Sequence, residues 1–254
     1  MSLDYNIDFI RDKKKKTNIK KAISLLERGY YTGKEVTSFF LDPFEKNVIE
    51  NIANKNNMDI KFIGANENVE RKIFVVNNYD YEIDQSNYIR VLTIDNDSLK
   101  HRDVLGALIS KGIDREDIGD IVVGEKIEFV VLEKDAAFIK YNITKIKNVG
   151  VNIEFKKDNK LSNKVYDYEE FTNFVSSLRI DNIISTILHL SRNNAKNLIK
   201  KRLVKVDFVT VDDPSKDIDE KSLISIRGYG RFVFDEIIGN SKKGNYHIRY
   251  KKVI

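Results

Sequence analysis

Two segments in the last third of the chain decide its fold: SRNNAKNLIKKRLVKV at Ser191–Val206 and RGYGR at Arg227–Arg231. Ser191 is a favourable helix N-cap, and Leu198 and Ile199 can pack against a neighbouring helix. The first segment therefore predicts a capped basic helix that runs into a short strand. The second segment is a glycine loop with an arginine at each end and a tyrosine in the middle.

The basic side chains of these segments predict a surface for nucleic-acid phosphates. Arg192, Lys196 and Lys200 lie at i, i+4 and i+8, so they share one helical face and can span successive phosphates. Gly228 and Gly230 lack a Cβ, which lets the loop adopt left-handed dihedrals and bring backbone amides close to an oxyanion. The predicted contacts are Arg179, Arg192, Lys196, Lys200, Lys201, Arg202, Lys205, Arg227 and Arg231 to phosphates, with Tyr229 adding stacking or a hydroxyl contact.

The net charge of the chain supports this location. The whole sequence carries +5, but residues 170–254 carry +6 and the remainder carries −1. This distribution predicts an electrostatic partner, nucleic acid, for the C-terminal third. A second basic run, Lys13–Lys16, fits either a nucleic-acid contact or a solvated helix face.

Composition excludes several classes of function. There is no Cys, so neither a disulfide nor a thiolate metal site can form. No apolar run reaches the ~18 residues of a membrane span, and no apolar segment follows the first charges as in a secretory signal. We therefore expect a cytoplasmic protein without a membrane partner.

No motif predicts catalysis. The chain has no GxxxxGK[ST] phosphate loop, and Gly228-x-Gly230 is not completed to GxGxxG and precedes a strand. His101, His189 and His247 show no ligand spacing. We expect no catalytic residue, metal, cofactor or small-molecule substrate, although an acid–base pair among the many carboxylates stays open.

We predict an α+β fold with three parts: residues 1–78 as a small α/β unit, residues 79–165 as a ferredoxin-like domain, and residues 172–254 as two helices plus a small antiparallel sheet. In the first part, Ile19, Ile23, Leu26 and Tyr30 recur at helical spacing, and Asp42-Pro43 begins a second helix. The third part includes an acidic segment, Val211–Glu220, predicted as a hairpin lying away from phosphates.

The middle part shows the order βαββαβ, which ferredoxin-like folds and RNA-recognition modules share. Its central strands offer Phe129 as their single aromatic residue, so a structural or protein-contacting role is favoured over base stacking. The predicted elements are strands at Tyr88–Ile94, Asp120–Val123, Lys126–Leu132 and Val151–Lys156, and helices at His101–Lys111 and Lys134–Lys147.

Residues 178–231 resemble the αL RNA-binding domain named after the small-subunit ribosomal protein S-four. The resemblance is carried by LRID at Leu178–Asp181, SRNNA at Ser191–Ala195, LIKKRLVKV at Leu198–Val206 and ISIRGYGR at Ile224–Arg231. This chain departs from the pattern in two places. Arg202 stands where glycine is usual, and Asp207-Phe208 replaces the usual Asn-Gly turn.

The whole chain resembles the YlmH family of bacterial ribosome-associated proteins, also called RqcP-like. FLDP at Phe40–Pro43 and HRDVLGALISKGIDREDIGDIVV at His101–Val123 carry this resemblance. It implies that the last domain binds ribosomal RNA on the large ribosomal subunit, in quality control of stalled peptidyl-tRNA. The implied activity is the binding and positioning of ribosomal RNA and tRNA, without bond-making.

Two alternatives remain open at this point. An RNA-modifying enzyme of the pseudouridine-synthase kind would use an Arg-Leu-Asp motif on a separate catalytic domain, which Arg179-Ile180-Asp181 only mimics. An interaction adaptor, for instance in cell division, would bind RNA incidentally.

Overall fold

The computed structural model describes residues 3–79, 82–96, 98–163 and 168–254. The chain forms two compact units, residues 1–164 and residues 165–254, which we call the N-terminal unit and the C-terminal unit. None of the helices in the described ranges has the length and apolar character needed to cross a bilayer. The predicted α+β class is confirmed.

The N-terminal unit begins with two helices and a small sheet. Helix α1 is capped by the Asp12 carboxylate, which accepts from the backbone N–H of Lys14 at 3.0 Å, and it ends at Gly33 with φ 61°. The predicted start of the second helix is confirmed, because Asp42 and Glu45 form a capping box around Pro43. The elements are α1 (Lys13–Thr32), β1 (Val36–Thr37), α2 (Pro43–Lys55), β2 (Ile60–Ile63) and β3 (Ile73–Val76), and the antiparallel sheet has the order β1-β3-β2.

The middle of the chain adopts the ferredoxin-like order. Its sheet runs β5-β6-β4-β9, with every neighbouring pair antiparallel, which is the arrangement that the βαββαβ pattern predicts. The elements are β4 (Ile89–Ile94), α3 (His101–Ser110), β5 (Ile118–Val123), β6 (Ile127–Leu132), α4 (Glu133–Asn142), β7 (Lys145–Ile146), β8 (Val149–Gly150) and β9 (Ile153–Phe155), and short 3₁₀ turns occupy Gln85–Asn87 and Arg115–Asp117.

The prediction that the last helix of this region continues to Lys147 is wrong. Helix α4 ends at Asn142, and the next residues form the two-stranded sheet of β7 and β8. Ile143 and Ile146 are both buried in the core below α3 and α4. Burial of these two β-branched side chains outweighs the weak local preference for helix.

The ferredoxin-like sheet is covered on both faces. One face packs against α3 and α4 and contains Phe129, which has no exposed surface. The other face presents Val91 and Val130, which pack in one core with Phe40 and Val75 from the first part of the chain. The predicted division at residue 78 therefore falls inside a unit with a shared core, and it stays a prediction.

The C-terminal unit is a six-stranded antiparallel sheet with two helices. Strand β10 pairs with β15 and so joins this sheet ahead of the predicted start at residue 172. Residues 164–167, where the predicted boundary after residue 165 falls, lie outside the described residues. The sheet order is β10-β15-β14-β13-β11-β12. The elements are β10 (Tyr168–Val175), α5 (Ile180–Ile187), α6 (Arg192–Lys200), β11 (Val204–Val206), β12 (Val209–Thr210), β13 (Leu223–Ile226), β14 (Gly230–Asn240) and β15 (Tyr246–Val253).

The acidic segment Val211–Glu220 does not form the predicted hairpin. It is a loop that runs along the start of α5, where the Lys216 carbonyl accepts from Ile180 N–H at 2.8 Å and Asp217 forms an isolated bridge with Arg179. Ile218 is buried in the core of the unit. This apolar anchor holds the loop on the domain, although most of its residues are exposed.

Candidate nucleic-acid interface

Helix α6 presents its basic side chains away from the core. The Ser191 hydroxyl accepts from the backbone N–H of Asn194 at 3.2 Å, so the predicted N-cap is confirmed. Ala195 and Ile199 are fully buried against α5 and the sheet. The basic residues at i, i+4 and i+8 in the helix consequently face outward, as the spacing predicts.

Three of the predicted phosphate contacts converge on one buried carboxylate. Both oxygens of Asp181 accept from the guanidinium groups of Arg179 and Arg192, each through two hydrogen bonds of 3.2 Å. Lys196 Nζ lies 3.8 Å from the same carboxylate. Asp181 has no exposed surface, whereas all three basic side chains are at least one third exposed. We call these four residues the Asp181 cluster.

The Asp181 cluster orients its cations and keeps a net positive charge. Burial favours a raised pKa for the Asp181 carboxyl, but the hydrogen bonds from Arg179 and Arg192 outweigh it, and the pKa lies below its ordinary value. The pKa of Arg179 is raised by its hydrogen bond to Asp181. The carboxylate is thus ionised at neutral pH, and the four residues together carry +2. Sequence reasoning missed this role of Asp181, because its partner Arg192 lies on the next helix.

Arg202 occupies a left-handed position that ends α6. Its φ is 58°, its backbone N–H donates to the Ile199 carbonyl at 2.8 Å, and Leu203 N–H donates to the Leu198 carbonyl at 3.1 Å. These two bonds form a Schellman motif, in which Arg202 takes the position that most often holds glycine. The backbone thus keeps the usual turn and tolerates the arginine side chain, which is exposed.

We expect Arg202→Gly to stabilise the C-terminal unit by about 1 kcal/mol, because glycine adopts the left-handed conformation without a Cβ penalty. The same change should remove about one phosphate contact, so the slope of log RNA affinity against log salt should fall in magnitude by about 1. Thermal unfolding and a salt titration measure the two effects. Arg202→Lys, which keeps both the charge and the Cβ, should change neither; a fall in melting temperature for Arg202→Gly would show that the side chain stabilises the fold instead.

The hairpin between β11 and β12 also preserves its usual geometry. Asp207 and Phe208 have φ values of 47° and 68°, so both turn residues are left-handed, as in the two-residue turns that Asn-Gly favours. The Asp207 carboxylate accepts from Leu223 N–H at 2.8 Å. The Arg231 guanidinium carbon lies 5.7 Å from the centre of the Phe208 ring. Phe208, which replaces the usual glycine of this turn, therefore supports Arg231, one of the predicted phosphate contacts.

The glycine loop joins β13 to β14 and lies beside the end of α6. Gly228 and Gly230 have φ values of 88° and 109°, with open space where a Cβ would be. Tyr229 is 45% exposed. Arg227 N–H donates to the Leu203 carbonyl at 2.9 Å, which ties the loop to the residue that follows Arg202. Two segments distant in sequence therefore form one surface.

Five basic residues of this surface are exposed and have no ion-pair partner among the described residues. We call them the open basic cluster; its members are Lys200, Lys201, Arg202, Lys205 and Arg227. In the sheet, Lys205 pairs with Ser225, which pairs with Arg231, so this row lies on the face opposite the core. All ten sequence-predicted residues thus fall on the C-terminal unit, either in the Asp181 cluster or around the glycine loop.

Comparison with known proteins shows which family this chain resembles. Residues 178–224 match the S4 domain, and residues 85–160 match the domain described as "Putative RNA-binding domain in YlmH". The ribosome-associated protein quality control protein P2 of Bacillus subtilis (strain 168) is 30% identical over 223 residues, covering 84% of this chain and 85% of that protein. The chain belongs to the YlmH family. The resemblance of residues 178–231 to the S4-type domain and the family resemblance seen in the sequence are thereby confirmed.

A solved structure of the YlmH family shares the fold of part of the chain. The cell division protein ylmH from Streptococcus pneumoniae superposes with a TM-score of 0.50 at 15% identity, covering 60% of this chain and 95% of that one.

The YlmH-type domain at 85–160 does not expose its sheet for base stacking. RNA-recognition modules stack bases on aromatic residues of an open sheet face, but here that face carries Val91 and Val130 and is buried against Phe40. Phe129 points into the opposite core. Among the described residues, no group of His, Asp or Glu side chains has the arrangement of a metal site.

Proposed function

We propose that this chain is a non-enzymatic cytoplasmic protein that binds ribosomal RNA, and tRNA as well, on the large ribosomal subunit during ribosome-associated quality control. The open basic cluster is the observation that carries this proposal. Its five cations have no ion-pair partner among the described residues and surround a glycine loop with an exposed tyrosine. Because no described carboxylate pairs with them, RNA phosphates can bind them without displacing an internal ion pair.

The proposed sites follow from the geometry of each group. The open basic cluster binds phosphates directly, and Tyr229 stacks on an unpaired base or bonds a sugar. The Asp181 cluster holds Arg179, Arg192 and Lys196 in fixed orientations beside it, which lowers the entropy lost when they bind. The name of the Bacillus subtilis relative supports the ribosome as the place where this RNA is met.

The arrangement of Asp181 favours binding over RNA modification. A pseudouridine-synthase-like enzyme would need an aspartate that reaches the base. Asp181 has no exposed surface, and both of its oxygens accept hydrogen bonds from arginines. Arg179 and Asp181, which resemble the ends of an Arg-Leu-Asp motif, thus form a structural ion pair.

We expect the purified chain to co-sediment with large ribosomal subunits at physiological salt and to remain free when mixed with small subunits, because the proposed RNA site is on the large subunit. Sedimentation through a sucrose cushion measures both. Peptidyl-tRNA on the large subunit should increase retention. Equal retention on both subunits, or none on the large one, would contradict the proposal; a partner retained after nuclease treatment would favour the adaptor alternative.

A further inference from the structure

Helix α1 presents a second basic surface, on the N-terminal unit. The helix carries +6, whereas residues 1–169 as a whole carry −1. Its outward side shows five basic residues that are exposed, and we call them the basic α1 face. They are Lys13, Lys14, Lys20, Lys21 and Arg28. At 1.5 Å per residue, they extend over about 22 Å of helix.

Most of the basic α1 face lacks an internal structural role. Four of them form no ion pair within the described residues: Lys13, Lys20, Lys21 and Arg28. The Lys14 Nζ atom lies 3.6 Å from Glu116 Oε1, and the Lys14 side chain is largely exposed. Lys15 differs from them, because it is buried and contacts the Asp42 and Glu45 carboxylates of the α2 cap. One lysine of the run therefore holds α1 against α2, and the others are available to a partner.

The position of these lysines opposes the stability of the helix. The N-terminus of a helix carries a partial positive charge, so cations in the first turn are unfavourable there. Lys13 and Lys14 occupy the first two positions of α1, where the carboxylate of the N-cap residue Asp12 offsets part of this repulsion. An anionic partner would offset the remaining repulsion between these lysines and the positive end of the helix dipole.

The chemistry of α1 favours a nucleic-acid backbone over a lipid surface. Membrane-surface helices insert an apolar face between lipids. The apolar residues of α1, Ile19, Ile23 and Leu26, are fully buried in the core of the unit. What remains outside is a line of long cations, with Tyr30 and Tyr31 exposed at the far end.

We propose that the basic α1 face is a second RNA-binding surface, which takes the phosphate backbone of an RNA helix. The proposal rests on the proposed function only in that RNA is the shared ligand. One face of the ferredoxin-like sheet is buried against Phe40, whereas α1 presents a line of exposed cations. Two surfaces on one chain would raise the overall affinity through effective concentration.

The test uses full-length protein and a hairpin RNA with a stem of about two helical turns. Lys13→Glu/Lys20→Glu/Lys21→Glu removes three cations of the face. We expect the slope of log affinity against log salt to fall in magnitude by about 2 to 3, and the affinity at physiological salt to fall about tenfold or more. Glutamate at position 13 suits the helix dipole, so the melting temperature should not fall and unfolding cannot explain the loss.

The matched control is Lys111→Glu/Lys145→Glu/Lys157→Glu, which makes the same charge change at exposed positions of the same unit. Its affinity should stay within about twofold of the unaltered chain, because these lysines lie off α1. Equal losses in both variants, or none in the α1 variant, would overturn the proposal. Binding to phosphatidylserine vesicles that depends on α1, with RNA affinity unchanged, would also overturn it. If the α1 variant loses RNA affinity while substitutions in the open basic cluster do not, the proposed function fails and the α1 surface stands.

Discussion

Asp181→Asn is expected to destabilise the C-terminal unit by about 2 kcal/mol, because it removes the carboxylate shared by three basic side chains. Arg179, Arg192 and Lys196 would then face each other without a counter-charge. Their partial exposure to solvent limits the cost, which would be larger for fully buried partners. An asparagine amide also turns donors toward two guanidinium groups that can only donate.

The effect of Asp181→Asn should depend on pH in a defined direction. The pKa of Asp181 is lowered in the folded protein, so its contribution is fully present above the unfolded-state pKa of about 4 and is lost as pH falls through the folded value. The difference between the original chain and the variant should therefore be full at neutral pH and shrink below about pH 4.

Hydrogen exchange of backbone amides in α5, α6 and β13, followed by mass spectrometry, measures this stability within the full-length chain. Asp212→Asn is the matched control, since Asp212 is exposed and lies in the same unit. The control should leave exchange unchanged. If Asp181→Asn exchanges no faster than the control at neutral pH, the Asp181 cluster does not stabilise the unit.

The local features of the C-terminal unit could be predicted from the sequence because they depend on neighbouring residues. The Ser191 cap, helix α6 and the glycine loop each follow from the preferences of a few adjacent residues. The ferredoxin-like order was predictable for the same reason, since alternation and helical periodicity are local patterns.

Long-range contacts could not be predicted in this way. The Asp181 cluster joins the start of α5 to α6, and only the fold brings Arg192 to Asp181. The burial of Val91 and Val130 beneath Phe40 likewise needs contacts between distant segments. The end of α4 was misplaced because the burial of Ile143, and not local propensity, decides it.

Charge reversal in the open basic cluster is expected to lower affinity for large ribosomal subunits about a hundredfold. The variant Lys200→Glu/Lys201→Glu/Lys205→Glu changes three exposed lysines that have no ion-pair partner among the described residues. These positions are preferable to Arg192 and Lys196, because those two side chains also stabilise the fold through Asp181. A loss of binding then reports on RNA contact and not on unfolding.

The number of phosphate contacts, which sets the salt dependence, gives the physical reason for a hundredfold loss of affinity. If about six phosphates are neutralised, the log–log slope for the unaltered chain is about −5. Removing three contacts should reduce its magnitude by about 3, and the new glutamates add repulsion from nearby phosphates. The control is Lys216→Glu/Lys242→Glu/Lys243→Glu, which makes the same charge change at exposed positions of the C-terminal unit that are not members of the open basic cluster.

A titration of large ribosomal subunits with these three proteins at several salt concentrations tests most directly whether this surface binds RNA. We predict a slope of about −5 for both the unaltered chain and the control, and about −2 for the Lys200, Lys201 and Lys205 variant, with its affinity about a hundredfold lower at physiological salt. The same slope and affinity for all three proteins would contradict the assignment of RNA binding to the open basic cluster.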